Sequence, residues 1–376
     1  MKKNSLAIWA LSQDGIALGK RIRRLLPTFP WERNTHLPLA SCDLYVPERL
    51  AQEDTFSFTS LSSVFSQAFF TYQAHCFIGA CGIAVRILAP LLSHKSQDPA
   101  VVVLNNAGTF VISLLSGHLG GANDLSRHLA SLLNAMPVIT TASDQSNCPS
   151  LDLLATERGL RILDWAEIPR FQAYLLEKRQ ILLYDPYSIF PCEPCLFTRI
   201  EHPDDAITIQ DGHSPLVIID WKKHDAEKNR LRLLLPHLFL GLGCRKETPS
   251  SLLLKAFQEL CRTANVEKRA LRGLATITEK AKEPCIQALA KELSLPIFTF
   301  PAEKLAQEIT PNPSSKAGAR FQKEPFSVCE GAALLCAKQF YPDAILFLQK
   351  RSFFQSITLA VSGSHTFLSH SNRREE

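Results

Sequence analysis

No apolar run in this sequence approaches the roughly 18 residues that a membrane-crossing helix requires, which removes a helical span from consideration. Charge of one sign is also in short supply. The 41 Lys and Arg residues stand against 36 Asp and Glu, and the formal net charge of +5 is dispersed rather than interleaved with aromatics in a basic run. That balance suits a protein receiving an anionic small ligand and argues against a nucleic-acid partner. There is no GxGxxG fingerprint, and no glycine-rich turn carries the lysine of a P-loop, so a phosphate-ligand enzyme built on the glycine turns is disfavoured. The eleven cysteines are scattered along the chain. They imply reduced thiols in a cytoplasmic protein rather than a disulfide framework. Cys192 and Cys195 in PCEPC have metal-ligand spacing, with His202 nearby, but no second CxxC or matching His pair follows. A closed zinc site wants four ligands, so a proline-stiffened loop is the reading there and no metal is assigned. The opening MKKNSLAIWALSQDG looks like a signal peptide at first sight. Its apolar part is too short, and Gln13-Asp14-Gly15 follows without a small-residue cleavage site, so a first β-strand is expected.

What the chain does have is alternation. With 376 residues, 46% of them hydrophobic and 20% charged, it is long enough for two or three globular domains. Short apolar runs alternate with helix-like stretches, the pattern of α/β layering. The expected architecture is α/β and multi-domain, each domain a small layered α/β unit. SLAIWAL, LYVP and AHCFIGA read as strands, and ALGKRIRRLL, SFTSLSSVFSQAFF and CGIAVRILAPLL as helices. PAVVVLNN and TFVISLL read as a hairpin turning near Ala107-Gly108. From Ala122 the spacing of Leu125, Leu129, Leu132 and Leu133 predicts a helix, and MPVITTAS a following strand. Residues 1–135 are then an N-terminal domain, and 136–236 a middle domain whose strands cannot be placed. Residues 237–361 form a C-terminal domain, followed by a polar, disordered tail over 362–376. In the C-terminal domain HLFLGLG, ALRGLATITEK and PIFTF read as strands and ILFLQK with QSITLAV as a hairpin. Thr248 is an expected N-cap with Pro249 as first helical residue. Ser327 and Glu330 are expected to form a capping box.

Two glycine-rich turns could carry chemistry. SGHLGGAN sits between a strand and a helix, where free backbone N–H groups and the positive dipole end favour an anion. Gly117, Gly120 and Gly121 would allow close approach, and His118 can move protons near neutral pH. The competing reading is a plain tight turn with a solvent-facing histidine. GLGCRKETP offers Arg245 and Lys246 to carboxylates, and Cys244 either as a thiolate or, better, as a small apolar filler. Arg86, and Lys95 with Asp98, lie beside apolar strands and are equally well surface or ion-paired groups. Asp144 ends TTASD just past an expected strand, where α/β ligand sites collect, or it caps a turn.

The series GIAVRILAPLLSHKSQDPAVVVLNNAG, VISLLSGHLGGANDLSRHLA and PVITTASD resembles the cobalt-precorrin-5A hydrolase family of anaerobic cobalamin biosynthesis. GLGCRKETP, LATITEKAKEP, SVCEGAALLCA and QKRSFFQSITLAVS resemble that family's C-terminal domain, a domain type that also stands alone in the aerobic pathway. The likeness runs over about residues 75–361, with LLSGHLGGAN its most specific element. Asn105 and Asn106 stand where the pattern leads one to expect an acidic residue. The resemblance implies a hydrolase that opens the ring-A δ-lactone of a cobalt-corrinoid and releases the extruded two-carbon unit as acetaldehyde. It implies no cofactor, since the cobalt belongs to the substrate. The partners implied are that corrinoid and neighbouring enzymes of the cobalamin pathway, with no nucleic acid and no membrane. On this reading His118 is the general base, with Asp144 or Asn123 as the next candidate to position water, and the turn amides form an oxyanion site. Arg86, Lys95, Arg245, Lys246 and Lys280 would grip carboxylate arms. A non-catalytic carrier of corrinoid intermediates is the alternative.

Overall fold

The computed structural model describes residues 3–26, 39, 41–141, 149–190, 196–206, 215–312 and 326–364. The chain divides into two compact units, Met1–Leu153 and Leu154–Glu376.

The first unit contains β1 (Lys3–Ala10), α1 (Gln13–Leu25), β2 (Ser41–Pro47), β3 (Phe56–Phe58), α2 (Leu61–Ala68) and β4 (Tyr72–Ile78). It continues with α3 (Cys81–Leu88), β5 (Ala100–Leu104), β6 (Phe110–Leu115), α4 (Ala122–Leu133) and β7 (Met136–Val138). Its seven strands form one sheet in the order β3-β2-β1-β4-β5-β6-β7. The first five are parallel, β6 runs antiparallel to β5, and β7 is parallel to β6. β4 and β5 are buried almost throughout because helices cover both faces. Ile16, Leu18 and Ile22 of α1 and Leu125, Leu129 and Leu133 of α4 pack on one face. Phe65 of α2 and Ala84 and Leu88 of α3 pack on the other. Near-continuous apolar strands are what two-sided burial demands. The Ser12 hydroxyl caps α1 by accepting from the Gly15 amide at 3.1 Å, and Gly121 precedes α4 in a left-handed conformation.

The expected boundary at residue 135 falls inside this sheet. Met136, Pro137 and Val138 pair with Phe110, Val111 and Ile112, so the N-terminal sheet reaches past it. The expected strand MPVITTAS is correspondingly short and closes at Val138. The division between the units falls within α5 (Leu151–Glu157).

In the second unit β8 (Arg161–Ile162), α6 (Ile168–Leu176), β9 (Ile181–Tyr184), β10 (Phe197–Ile200), β11 (Leu216–Asp220) and β12 (Arg230–Leu234) come first. Their five-stranded sheet has the order β10-β9-β11-β12-β8, parallel except for β8. Next come β13 (Leu238–Cys244), α7 (Ser250–Thr263), β14 (Leu271–Ile277), α8 (Pro284–Leu293), β15 (Ile297–Phe300) and α9 (Ala302–Ala306). α10 (Val328–Lys338), β16 (Ala344–Phe353) and β17 (Ile357–Ser364) complete the unit. These strands form a second five-stranded sheet, ordered β15-β14-β13-β17-β16. Leu253 and Phe257 of α7 and Ile286 and Leu289 of α8 cover one face, and Ala332 and Cys336 of α10 the other. β17 runs to Ser364, so Ser362–Ser364 belong to the sheet rather than to a tail.

Two cap expectations are corrected. α7 begins at Ser250 with Pro249 as its N-cap, and the Thr248 hydroxyl turns back to donate to the Arg245 carbonyl at 2.8 Å. Ser327 is the N-cap of α10 but makes no side-chain cap bond. Glu330 is instead wholly buried, accepting from the Asn312 amide at 3.1 Å, Asn312 Nδ2 at 2.9 Å and the Lys350 amide at 2.8 Å. A tertiary network has taken the carboxylate that a local box would have used. Among the described residues no helix is long and apolar enough to cross a membrane.

Close approach of β13 to α10 depends on Gly241, where a Cβ would lie 1.8 Å from the Cys329 carbonyl oxygen. Backbone cannot yield as a flexible side-chain end can. Gly241→Ala is therefore expected to lose at least about 3 kcal/mol of unfolding free energy or to fail to fold. Urea denaturation checks this, and an unchanged midpoint would contradict the contact.

Candidate functional site

Strand direction gathers the first candidate residues at one end of the seven-stranded sheet. Because β6 returns antiparallel to β5, the turn after β6 lies beside the loop that enters β5, and the end of β7 comes to the same edge. Lys95 and Asp98 lie in the entering loop, Ser116–Gly121 form the turn, and Thr141 follows β7.

The turn is strained and braced. Ser116 has φ +56° and Gly121 φ +84°, both left-handed, a region that suits Gly121 and costs Ser116. Ser116 is held there by its hydroxyl, which donates to the Asp98 carbonyl at 3.1 Å. At Gly120 a Cβ would sit 2.4 Å from Ser116 Cβ and 2.8 Å from its carbonyl oxygen, so the chain folds against itself where only glycine fits. Gly117 lies against the Asn123 side chain. The amides of Gly121, Ala122 and Asn123 donate to the carbonyls of His118, Ser116 and Gly117 at 2.9, 3.1 and 2.9 Å. These three donors close the turn itself and are not open to an anion.

Asn123 is buried, its Oδ1 accepting from the Ser113 hydroxyl at 2.7 Å and its Nδ2 donating to Thr141 Oγ1 at 3.1 Å. Its amide ties β6 to the segment after β7, and so braces the turn. Asp144 lies outside the described residues, as do Cys192 and Cys195.

His118 is half-buried, and the charge it can carry acts on a carboxylate that the sequence reading overlooked, Asp152 in the first turn of α5. Asp152 accepts from Lys95 Nζ at 2.9 Å and from the Ser150 hydroxyl, and is almost fully buried. Burial works to raise its pKa. The hydrogen bonds from Lys95 and Ser150 and the charges of Lys95 and His118 outweigh that effect and hold the carboxyl below its usual range. Lys95, expected to grip substrate, is thus joined to an internal partner while its side chain stays 41% exposed. Arg86 is exposed on α3, its guanidinium donating to the Gly82 carbonyl one turn back at 3.1 Å. No described contact joins it to the Lys95–Asp152 pair.

Arg245, Lys246 and Lys280 belong to the second unit, at the ends of β13 and β14. Arg245 and Lys246 are exposed, with the Arg245 amide anchored on the Ser356 carbonyl at 3.0 Å. Lys280 is mostly shielded and bonds to Glu283 at 2.7 Å, while Glu283 also accepts from the Glu247 amide. Of the three, Arg245 and Lys246 keep the open character expected of carboxylate grips. Cys244 Sγ lies 3.7 Å from Cys285 Sγ. The hydrogen bond between the two thiols pushes Cys244 up and draws Cys285 down to about 7. Among the described residues no group of three or more His, Cys, Asp or Glu could hold a metal ion.

Asp152 titrates lower in the folded chain than the reference carboxyl near pH ~3.9. Its pairing therefore stabilises the fold above about pH 4 and is lost as pH falls through the folded-state pKa. Denaturant unfolding between about pH 3 and 6 should show the wild type losing stability on acidification, with Asp152→Asn less stable at the upper end and flatter in profile. Parallel profiles would remove the pair from the fold's energetics.

Family comparison covers both units. The family described as Cobalamin synthesis G N-terminal matches residues 63–144, the Cobalamin biosynthesis central region residues 149–236, and the Cobalamin synthesis G C-terminus residues 238–362. The chain is 33% identical over 321 residues to the cobalt-precorrin-5A hydrolase of Salmonella typhimurium, covering 82% of this chain and 85% of that protein. It is 27% identical over 385 residues to the cobalt-precorrin-5A hydrolase of Priestia megaterium, covering 96% of each. A shorter likeness, 33% over 115 residues, relates 30% of the chain to 71% of Protein CobE from a Sinorhizobium species. With a relative this similar across more than four-fifths of its length, the chain belongs to the cobalt-precorrin-5A hydrolase family.

Proposed function

We propose that this chain is a cobalt-precorrin-5A hydrolase. It takes a cobalt-corrinoid, opens its ring-A δ-lactone with water, and releases acetaldehyde to give cobalt-precorrin-5B. The observation that carries this reading is the 33% identity to the Salmonella hydrolase over 82% of the chain. What adds to it is the His118–Asp152–Lys95 cluster beside a glycine-braced turn. The cobalt is substrate, and no cofactor is assigned. The reading places the protein in the cytoplasm, working beside other enzymes of the cobalamin pathway.

Hydrolysis of a lactone needs a base to take a proton from water and positive charge near the oxyanion that forms on the carbonyl. His118 takes that proton. The Asp152 carboxylate stabilises the resulting imidazolium, as a third group does for any paired base. Lys95 holds Asp152 in place and, through its exposed ammonium, brings positive charge to the same edge. Arg245 and Lys246 offer separate cations to carboxylate arms in the second unit. Asp144 remains a second candidate for positioning the water.

The direct test is incubation with the lactone intermediate and an assay for acetaldehyde, where binding without release would favour a carrier instead. His118→Ala is expected to lower turnover by about 10²–10⁴-fold while the corrinoid still binds. His118→Gln, which keeps size and hydrogen bonding but is no base, should be nearly as inactive. Acetaldehyde released by His118→Ala at close to the normal rate would end the assignment.

A separate measurement addresses the grips. Replacing Arg245 and Lys246 together by Ala should weaken corrinoid binding and flatten its dependence on salt, because exposed cations act through screened charge. Unchanged affinity at low salt would exclude that turn from the binding surface.

A further inference from the structure

One group of titratable side chains in the second unit has no part in the lactone step. It lies where the middle sheet reverses its order of addition. From β9 the chain goes to β10 on one side, whereas β11 is laid on the other side of β9 and is followed outward by β12. In open α/β sheets, ligands bind in the crevice outside the carboxyl ends of the strands at such a reversal. Here those ends are Tyr184 of β9 and Asp220 of β11, which point the same way because the strands pair in parallel.

Asp220 is buried, and both of its carboxylate oxygens are used. Oδ1 accepts from the Trp221 amide at 2.7 Å and from the Tyr187 hydroxyl at 3.2 Å. Oδ2 lies 2.8 Å from His224 Nε2. A carboxylate only accepts, so Nε2 carries the proton, and in the neutral ring the lone pair is on Nδ1. Nδ1 has no hydrogen-bond partner among the described residues, and the His224 side chain is 19% exposed. The loop that carries it is clamped, since Arg232 donates to the His224 carbonyl at 2.7 Å while Asp164 grips the same guanidinium. The Tyr184 ring stands edge-on to the imidazole with centroids 6.2 Å apart. Burial, then the Asp220 charge, pushes both tyrosine hydroxyls up, so they stay protonated. One residue beyond β9, Asp185 Oδ1 is buried and has no hydrogen-bond partner among the described residues, leaving an acceptor open at the same strand end. The imidazole lone pair and the Asp185 oxygen are thus two acceptors left open, among the described residues, at the carboxyl ends of adjacent strands of one sheet.

We propose that the carboxyl ends of β9 and β11 form a second proton-transfer site, in which His224, oriented by Asp220, takes the proton of a substrate hydroxyl. This rests on the hydrolase reading above and assigns the site to its second step. Opening the lactone frees the alkoxy oxygen as a carbinol on the two-carbon unit. For that unit to leave as acetaldehyde, the carbinol O–H proton passes to His224 Nδ1 and the C–O bond becomes a carbonyl. The bond from the carbinol carbon to the macrocycle breaks, and its electron pair remains on the ring carbon. That carbon then takes a proton, returned by the His224 imidazolium. No oxidant or reductant enters, and Asp220 is a positioning residue.

The full-length chain and its His224→Gln variant are compared with the lactone substrate, following both products by mass spectrometry. The variant should still consume the lactone and accumulate the ring-opened carbinol, heavier than the substrate by one water. Its acetaldehyde release should fall by about 10²–10⁴-fold. His224→Gly should regain part of that release with added imidazole, which a merely structural histidine would not show. His118→Ala, by contrast, should leave the lactone unopened. If His224→Gln releases acetaldehyde normally, or loses both steps together, the second site is overturned. If the wild-type chain itself releases none, the hydrolase reading fails instead.

Discussion

The buried amide of Asn123 holds the candidate site of the first unit together. A polar side chain inside a sheet edge is stable only when its donors and acceptors are met, and an unmet one costs about 1–3 kcal/mol. Asn123 meets them with the Ser113 hydroxyl on β6 and with Thr141 after β7. It thereby joins the strand that leads into the glycine turn to the strand that returns from α4. Gly117 fits because it has no side chain to displace that amide, and Gly120 because the chain doubles back on Ser116. The turn's shape therefore follows from satisfying one amide within a crowded space, and the position of His118 follows from the turn.

That constraint also decides what the turn does with three of its own amides. A strand-to-helix turn has orphan amides, and any acceptor within reach will satisfy them. Here the turn's own carbonyls do so. Those amides are thereby used within the turn, and side chains add charge of their own. Lys95, Asp152 and His118 make a mixed cluster in which Asp152 is buried and Lys95 remains largely exposed. A carboxylate buried beside a cation would be costly alone, and the Ser150 hydroxyl supplies a further donor that makes it tolerable.

Much of the fold was legible in the sequence because its signals are local. The runs SLAIWAL, AHCFIGA and HLFLGLG are strands because both faces of their sheets are covered. The hairpin at residues 100–115 turns at Gly108, whereas that at 344–364 is legible from its paired apolar runs and turns at Phe354-Gln355 without a glycine. The helix from Ala122 was legible in its leucine spacing. The failures share a cause. MPV reads as the start of a new domain until its pairing with β6 is seen, and Glu330 reads as a cap until Asn312 and Lys350 claim it. Asp152 sits 57 residues from Lys95 and gives no periodic signal. Asp220 and His224 are only four residues apart, yet their meaning depends on which strand lies beside β11. In both units the linear order shows which residue types are available, while sheet topology decides which of them meet.

The two clusters differ in a way that matches the chemistry assigned to them. Water attacking a lactone carbonyl needs a base together with positive charge for an oxyanion, and the His118 cluster contains a lysine. Breaking a carbon–carbon bond to release an aldehyde develops charge on the macrocycle, which its own conjugation can spread, so the proton acceptor needs orientation more than a local cation. The His224 imidazole has that orientation from Asp220, from Tyr187 through Asp220, and from the Arg232–Asp164 clamp on its loop. A single imidazole serving both steps would have to meet the carbonyl oxygen's charge and the carbinol's proton in turn. Two fixed imidazoles, each with its own carboxylate, separate those demands and leave each site free to keep one geometry.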